Sequence, residues 1–172
     1  MIIDIGGAAI DRSGYNAGNG YTIVNLENTA NASGVLTSFE FYFNTGHPGT
    51  SVVVGTFSNI AGNLNDRDYE TIGDIFSGSK QTYTGKNCDV VTGDLIGTYQ
   101  TGGLYESDDS VYAGYYYKAG NFFGQGAASY AFQSGYTHSI YATGVAPDAK
   151  TPPVISISNN WMPIMRLKLG RA

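Results

Sequence analysis

Cysteine is almost absent from this sequence, with Cys88 the single one among 172 residues. A lone cysteine excludes an intramolecular disulfide framework and a metal site built from several cysteines. The residues around Cys88 have the pattern of a strand, so we expect a partly buried, inert thiol. A nucleophilic thiol would need His47 or His138 beside it, which the sequence alone does not establish.

Charge is also scarce, at 13% of residues against the roughly one quarter that is typical of soluble domains. The net charge is −5, and no run of lysine or arginine occurs. A surface that follows a phosphate backbone or binds anionic lipid needs clustered positive charge. We therefore expect neither a nucleic-acid partner nor a membrane partner.

Long hydrophobic runs are missing as well. No apolar stretch approaches the roughly 18–20 residues that cross a bilayer. The first seven residues, MIIDIGG, have neither the charged nor the apolar region of a secretory signal. The surface-type composition nevertheless predicts a location on a virion surface or outside the cell. Either a signal has been removed before Met1, or the protein leaves the cell by another route, such as release of virions by lysis.

Glycine and tyrosine are abundant, at 24 and 14 residues, and 42% of the chain is hydrophobic. About ten to twelve short strand patterns are separated by turn signals, and no amphipathic helix is evident. This pattern predicts an all-β fold, an antiparallel β-sandwich of jelly-roll type. We assign residues 1–145 to the sandwich. Residues 146–172 form a proline-containing connector with closing strands at 154–158 and 164–169 of the same domain.

The clearest strand pattern is at residues 35–43, where period-two alternation puts Phe39, Phe41 and Phe43 on one face together with Val35 and Thr37. We expect this to be the core face. By contrast, residues 11–20, which end in the turn pair Asn19–Gly20, and residues 58–68 have the polar composition of loops. At 91–94 the sequence VTGD predicts a tight turn, in which Gly93 takes a positive φ and Asp94 bonds to the nearby backbone.

Metal binding has one candidate ion, calcium, which takes six to eight oxygen ligands. The acids that come close to such a pattern are Asp66, Asp68, Glu106, Asp108 and Asp109. Neither of their two segments matches an EF-hand loop, and Arg67 counts against the first. The alternative is that these are polar loops that solvate the fold, so we expect no obligatory cofactor.

Catalytic patterns are weak. There is no G-x-S-x-G motif, and His47 and His138 are better explained as solvated or structural residues than as general bases. Glu106 and Asp108 lie on one face of a predicted strand, as a glycosidase pair would. The three spaced acids of a β-sandwich glycosidase are missing, however. We therefore predict that the protein is not an enzyme.

Aromatic surface is the positive signal. Within the predicted strand 111–118, in which Gly114 is a candidate bulge, four tyrosines cannot all face one core, because neighbouring strand residues point to opposite sides. They are Tyr112, Tyr115, Tyr116 and Tyr117. If the sheet is buried on one face only, some of these rings are exposed, where they can stack on sugars or anchor a protein interface. Alternatively, they lie at strand edges with their hydroxyls in water. Trp161 is a further candidate.

Five segments resemble a group of uncharacterised jelly-roll proteins associated with bacteriophage structural genes and environmental sequences. They are IDIGGAAIDR at 3–12, YTIVN at 21–25, ANASG at 30–34, GSKQTYTG at 78–85 and DVVTGDLIG at 89–97. These motifs are turns and core strands, so the resemblance concerns the fold and supplies no catalytic residues. It implies a small virion protein, either a capsid decoration or a tail-associated component.

We therefore expect a non-enzymatic surface protein of a phage-like virion that contacts other virion proteins or itself, and that can contact the host surface. The alternative is a carbohydrate-binding module that binds surface glycans through exposed tyrosines.

Overall fold

The computed structural model describes residues 1–60 and 62–147. Every regular element in this part of the chain is a strand. The strands are β1 (Ile2–Gly6), β2 (Gly14–Asn16), β3 (Tyr21–Asn25), β4 (Gly34–Tyr42), β5 (Gly49–Ile60), β6 (Asn63–Ile75), β7 (Lys80–Val90), β8 (Leu95–Tyr99), β9 (Tyr105–Ala119), β10 (Ala128–Ser129), β11 (Ala131–His138) and β12 (Ile140–Val145). Over the same residues, no helix is long and apolar enough to span a membrane. Trp161 and the strands predicted at 154–158 and 164–169 lie outside the described residues.

The strands form two sheets. The small sheet has the order β1-β12-β4-β7, and the large sheet has the order β10-β6-β5-β8-β3-β9-β11, with β2 also paired to β9. All the strand pairs are antiparallel. The prediction of an all-β, antiparallel β-sandwich is therefore confirmed. The jelly-roll connectivity stays a prediction.

The main core lies between the two sheets. Phe39, Phe41 and Phe43 are fully buried there, against inward-facing residues of the large sheet such as Val54 and Ile96. The predicted phenylalanine face of β4 is therefore confirmed from residue 39 onward. Earlier in the strand the pairing with β7 shifts between Leu36 and Ser38. This irregularity turns Leu36 into the core, while the side chain of Val35 is only half-buried.

A second hydrophobic cluster lies on the other face of the large sheet, around Phe57. The ring of Phe57 is 5.2 Å from that of Phe123 and 6.3 Å from that of Tyr130. Tyr130 alone separates β10, which pairs with β6, from β11, which pairs with β9. Because β10 and β11 are the two edge strands of the large sheet, this single-residue connection brings its edges together, and the sheet curves around the cluster. Gly97 is required there, because a Cβ atom would lie 2.5 Å from the Phe57 ring.

Two predicted loops are wrong. Residues 58–60 belong to β5 and residues 63–68 belong to β6, and the Gly62 N–H donates to Asn59 Oδ1 over 3.1 Å. The strand residues of this segment are polar because much of β6 is exposed at the side chain. The predicted loop at 11–20 contains β2, whose three residues carry no apolar alternation. Both errors arise because solvent-exposed strands lack the period-two hydrophobic signal.

The turn at 91–94 is confirmed. Gly93 has a φ of +88°, the Asp94 N–H donates to the Val91 carbonyl over 2.9 Å, and Asp94 Oδ2 accepts the Val91 N–H. Asp94 is also buried and accepts two hydrogen bonds from the guanidinium of Arg67. That bonding raises the pKa of Arg67. The turn is therefore fixed to β6 by a bidentate ion pair, which the sequence did not predict.

Candidate functional site

The four tyrosines of β9 divide between different parts of the molecule. Tyr115 and Tyr117 pack against the main core, whereas Tyr116 packs against the second cluster. Gly114, with a φ of +98°, lies at a shift in the pairing with β11 and separates them from Tyr112, which confirms the predicted bulge. All four side chains are half-buried and none is exposed. Each ring is therefore partly accessible to solvent, and a ligand or interface role for these tyrosines stays a prediction.

Tyr115 and Tyr117 nevertheless line a surface cavity of about 180 Å³, which we call the tyrosine cavity. Its third ring is Tyr21, at the start of β3, and the remaining lining residues are Asn16, Ala17, Gly18 and Ile23. The Tyr117 ring centroid is 6.2 Å from that of Tyr21 and 5.8 Å from that of Tyr115. The interplanar angles are 59° and 55°, so the three tilted rings line the sides of a concave site.

The end of β2 and the turn that leads into β3 shape this cavity. Asn16 Nδ2 donates to the Tyr115 hydroxyl over 3.1 Å and so fixes the orientation of that ring. Gly18 leaves room for the Ile23 side chain, because a Cβ atom there would lie 2.4 Å from Ile23 Cδ1. The lining residues carry no charged side chain. The cavity therefore presents aromatic faces and one side-chain amide.

His138 lies behind Tyr115 in the core. Its ring centroid is 4.7 Å from that of Tyr115 and 5.9 Å from that of Tyr105, with both pairs edge to face. Burial, with a smaller contribution from the nearby Arg12, lowers the pKa of His138 to about 3. Neither ring nitrogen has a hydrogen-bond partner within the described part of the chain. The imidazole is therefore neutral at pH 7 and packs as a core ring.

Tyr112 lies on the other side of the bulge and lines a different cavity. The guanidinium carbon of Arg12 is 5.7 Å from the centre of its ring, a cation–π distance. The Tyr112 hydroxyl makes only a long contact, 3.4 Å, with Asp108 Oδ2. The four tyrosines of β9 thus contribute to two separate cavities and to the second cluster, in agreement with the prediction that they cannot all face one side.

The first pair of calcium candidates lies on a strand, not a loop. Asp66 Oδ2 accepts the Gly124 N–H over 2.8 Å, and Asp68 Oδ2 accepts the Asp89 N–H over 2.8 Å. Each carboxylate therefore already has a backbone partner. Both residues belong to β6, which is why the predicted liganding loop does not form.

The second group of candidates lies on β9. Glu106 is buried and accepts hydrogen bonds from Asn44 Nδ2, at 2.7 Å, and from the backbone N–H of Arg12, at 3.1 Å. Asp108 Oδ1 accepts the Ser13 hydroxyl and the backbone N–H of Asp109. In residues 1–60 and 62–147, no group of three or more His, Cys, Asp or Glu side chains is arranged to hold a metal ion. Calcium binding stays a prediction.

Cys88 is fully buried between β7 and β6. Its Sγ donates to the Asp68 carbonyl over 3.4 Å. Burial, together with the charge of Asp68, raises the pKa of the thiol to about 12. The cysteine is therefore protonated at pH 7, in agreement with the prediction of an inert thiol.

Tyr21, Asn16 and Gly18 were not predicted as cavity residues. The Asn19–Gly20 pair did indicate a turn that places Tyr21 at the start of a strand. Nothing local indicated that this strand would pair with β9, about 95 residues later, with Tyr21 opposite Ala119. The cavity is therefore a product of non-local pairing.

Comparisons with models of protein families, with curated proteins and with solved structures found no match to this chain.

Proposed function

We propose that the protein is a non-enzymatic structural protein on the surface of a phage-like virion, as a capsid decoration or tail-associated component, and that it contacts the host surface. The resemblance of its turn and strand motifs to phage-associated jelly-roll proteins supports this assignment, as does its surface-type composition. The structural observation that carries the proposal is the closure of the two edges of the small sheet by side chains.

Two backbone amides near the C-terminal end of the edge strand β7 are occupied by carboxylates from the neighbouring sheet. Asp68 accepts the Asp89 N–H, and Glu70 Oε1 accepts the Asn87 N–H over 3.0 Å. On the same edge, Lys86 Nζ lies 3.6 Å from Glu70 Oε2 and forms an ion pair with it. Unpaired edge amides would otherwise invite strand addition from another molecule, and an acid or amide that occupies them prevents it.

The opposite edge strand, β1, is closed in the same manner by an amide. Asn31 Oδ1 accepts the Asp4 N–H over 3.1 Å, and Asn31 Nδ2 approaches the Ile2 carbonyl at 3.4 Å. The Gly6 N–H donates to the Asn28 carbonyl over 2.8 Å. Closed edges suit a protein held in many copies at high local concentration, because they suppress aggregation between neighbouring sandwiches.

We also propose that the sandwich is of jelly-roll type. Apart from the β5–β6 hairpin, these eight strands alternate between the sheets along the chain: β1, β4, β7 and β12 are in the small sheet, and β3, β5, β6 and β8 are in the large one. This alternation supports two interleaved Greek keys. In that arrangement, β9, β10 and β11 form an insertion that extends and closes the large sheet.

Purified particles test the virion assignment. Particles from a culture that produces this chain are banded on a density gradient, washed in high salt and analysed by mass spectrometry. We expect the chain to co-migrate with the major capsid protein in a fixed ratio. Recovery only in the soluble fraction, with the abundant host proteins, would contradict the proposal.

A carbohydrate-binding module is the second candidate, and the tyrosine cavity favours it. Tyr21 is 41% exposed, so part of its ring faces the solvent beside Tyr117. Aromatic rings pack against the apolar face of a sugar, while Asn16 and the hydroxyls of the cavity tyrosines can bond to its hydroxyls. The volume of about 180 Å³ is below the roughly 300–1,000 Å³ of drug-sized sites, so it suits a single sugar ring.

A glycan array tests this second candidate. We expect Tyr117→Ala to abolish binding to neutral glycans, because it removes the ring that packs against both other rings of the tyrosine cavity. Tyr15→Ala is the matched control, since Tyr15 is 63% exposed and lies outside the cavity lining. Equal loss in both variants, or no saturable binding by the unsubstituted protein, would reject the module.

A further inference from the structure

The larger cavity beside Tyr112 has a volume of about 410 Å³. Its lining comes from the segment after β1, the segment after β3, the strand β9 and the strand β12. Polar or aromatic side chains in the lining come from Arg12, Glu27, Asn28, Tyr112 and Tyr141. Its volume falls within the range of about 300–1,000 Å³ that is usual for small-molecule sites. We call it the arginine cavity.

Arg12 is held firmly at this cavity. Its Nε donates to the Ser139 hydroxyl over 2.8 Å, and its Nη2 donates to the Ala8 carbonyl over 2.9 Å. Its backbone N–H donates to Oε2 of the buried Glu106 over 3.1 Å. The guanidinium also rests over the Tyr112 ring. These contacts fix the side chain before any ligand arrives, which reduces the entropy lost on binding.

Some N–H donors of the Arg12 guanidinium make no hydrogen bond to the described residues. The guanidinium has five N–H groups, of which two are used by Ser139 and Ala8. The ion pairs found among residues 1–60 and 62–147 join Arg67 to Asp94, Lys80 to Glu40 and Lys86 to Glu70, so no described carboxylate pairs with Arg12. A fixed, half-buried arginine with three unused donors is suited to a planar anion that binds through two oxygens.

The other lining residues narrow the choice of anion. Glu27 uses Oε2 to accept the Ala113 N–H, at 3.3 Å, and its Oε1 accepts no hydrogen bond from the described residues. The negative charge of Glu27 in the cavity opposes a doubly charged phosphate or sulfate more than a singly charged carboxylate, and its free oxygen can accept hydroxyl groups. The half-buried ring of Tyr141 offers an apolar face. This combination suits a ligand with one carboxylate and several hydroxyls.

We propose that the arginine cavity binds an acidic sugar, with the carboxylate on the guanidinium of Arg12 and the ring hydroxyls on Glu27 and Asn28. The two cavities share no lining residue. This site is therefore additional to the tyrosine cavity. It is independent of whether the protein is carried on a virion, and its test requires neither particles nor a glycan array.

Calorimetric titration of the full chain at pH 7 with glucuronic acid, and in parallel with glucose, tests the proposal. We expect saturable binding of glucuronic acid and at least about tenfold weaker binding of glucose, which lacks the carboxylate. Acetate at high concentration should compete with glucuronic acid. Absence of saturable binding, or equal affinity for the acid and for glucose, would overturn the proposal without reference to any variant.

Matched variants then locate the site. Arg12→Gln should weaken the binding of glucuronic acid by at least about tenfold, while Lys86→Gln, which removes the same charge from a distant ion pair, should leave it unchanged. Glu27→Gln should keep or increase the affinity, because it removes a like charge and retains an acceptor. Arg12→Lys preserves the charge but loses the planar fork, and we expect intermediate affinity.

The outcomes that contradict this location are equally specific. Binding that survives Arg12→Gln, or that falls as much in Lys86→Gln, would show that general electrostatic attraction holds the acid. Undiminished affinity in Arg12→Lys would overturn the role of the guanidinium fork. If Arg12→Gln does not fold, the location rests on Arg12→Lys and Glu27→Gln, and a loss of binding in Glu27→Gln would overturn it.

Discussion

The two cavities beside β9 are lined by tyrosines from the same short stretch of sequence, yet their chemistry differs. Tyr115 and Tyr117 line the tyrosine cavity, where no charged side chain is present, whereas Tyr112 lines the arginine cavity with Arg12 and Glu27. The bulge at Gly114 separates the two groups along the strand. The difference shows that the chemistry of each cavity is determined by the distant segments that pack against β9, and not by the tyrosine run itself.

One layer of the core supports both cavities. The ring of Tyr105 lies 4.7 Å from Phe43 and 5.9 Å from His138, and His138 in turn packs against Tyr115. Ser139, the next residue along the chain, binds the guanidinium of Arg12. Changes in this layer should therefore affect both cavities, whereas changes in a lining residue should affect only one.

The largest effect is expected for Tyr105→Ala. Tyr105 is fully buried, and loss of its ring should lower the free energy of unfolding by about 3–5 kcal/mol, as for other large aromatic side chains removed from a core. Chemical denaturation measures this change. Tyr105→Phe is the control, because it removes only the hydroxyl that donates to Thr98 Oγ1 over 2.8 Å and should cost about 1 kcal/mol. Similar losses in the two variants would contradict the central position of this ring.

The next effect depends on pH. Because the pKa of His138 is lowered to about 3 in the folded protein, the unfolded chain takes up a proton near the ordinary value of 6.5 while the folded chain does not. Stability is therefore fully present above pH 6.5 and is lost as the pH falls towards 3, by at most about 1.4 kcal/mol per pH unit.

Denaturation at intervals between pH 7 and pH 5 tests this, because few carboxylates titrate in that range. His138→Phe keeps a ring but cannot titrate, so its stability should fall less steeply over the same interval. Parallel slopes for the two proteins would show that His138 is accessible to protons in the folded state.

The smallest effect distinguishes the two cavities directly. Tyr115→Phe removes the acceptor of the 3.1 Å hydrogen bond from Asn16 and should cost about 0.5–1.5 kcal/mol of unfolding free energy. Tyr112→Phe removes only a 3.4 Å contact with Asp108 on a half-exposed surface, and should change stability by no more than about 0.5 kcal/mol. Thermal denaturation of both variants under one condition compares them, and the reverse order would contradict the assigned contacts.

The features that could be predicted from the sequence are local ones. The phenylalanine face of β4 follows from period-two alternation, and the turn at Gly93 and Asp94 follows from residue types that favour it. The shift at Leu36 could not be predicted, because it depends on pairing with β7. The first half of β6, residues 63–68, was missed because its residues are mostly polar and carry no hydrophobic pattern; one of them, Asp68, instead accepts a backbone N–H at the edge of β7.

The candidate sites were predictable only in part. Tyr112, Tyr115 and Tyr117 could be identified because an aromatic run must divide between two faces of a strand. Their partners Tyr21 and Arg12 lie roughly a hundred residues away in the sequence, and only the folded topology brings them together. The burial of Tyr116 depends on the second cluster, which forms because the segment between β9 and β11 folds back over the large sheet.

The most direct test of the account is a glycan array that carries both neutral and uronic-acid glycans, probed with Tyr117→Ala and Arg12→Gln. We expect Tyr117→Ala to lose only the neutral glycans and Arg12→Gln to lose only the acidic ones. Loss of both classes in either variant, with the fold intact, would contradict the conclusion that β9 carries two chemically distinct sites.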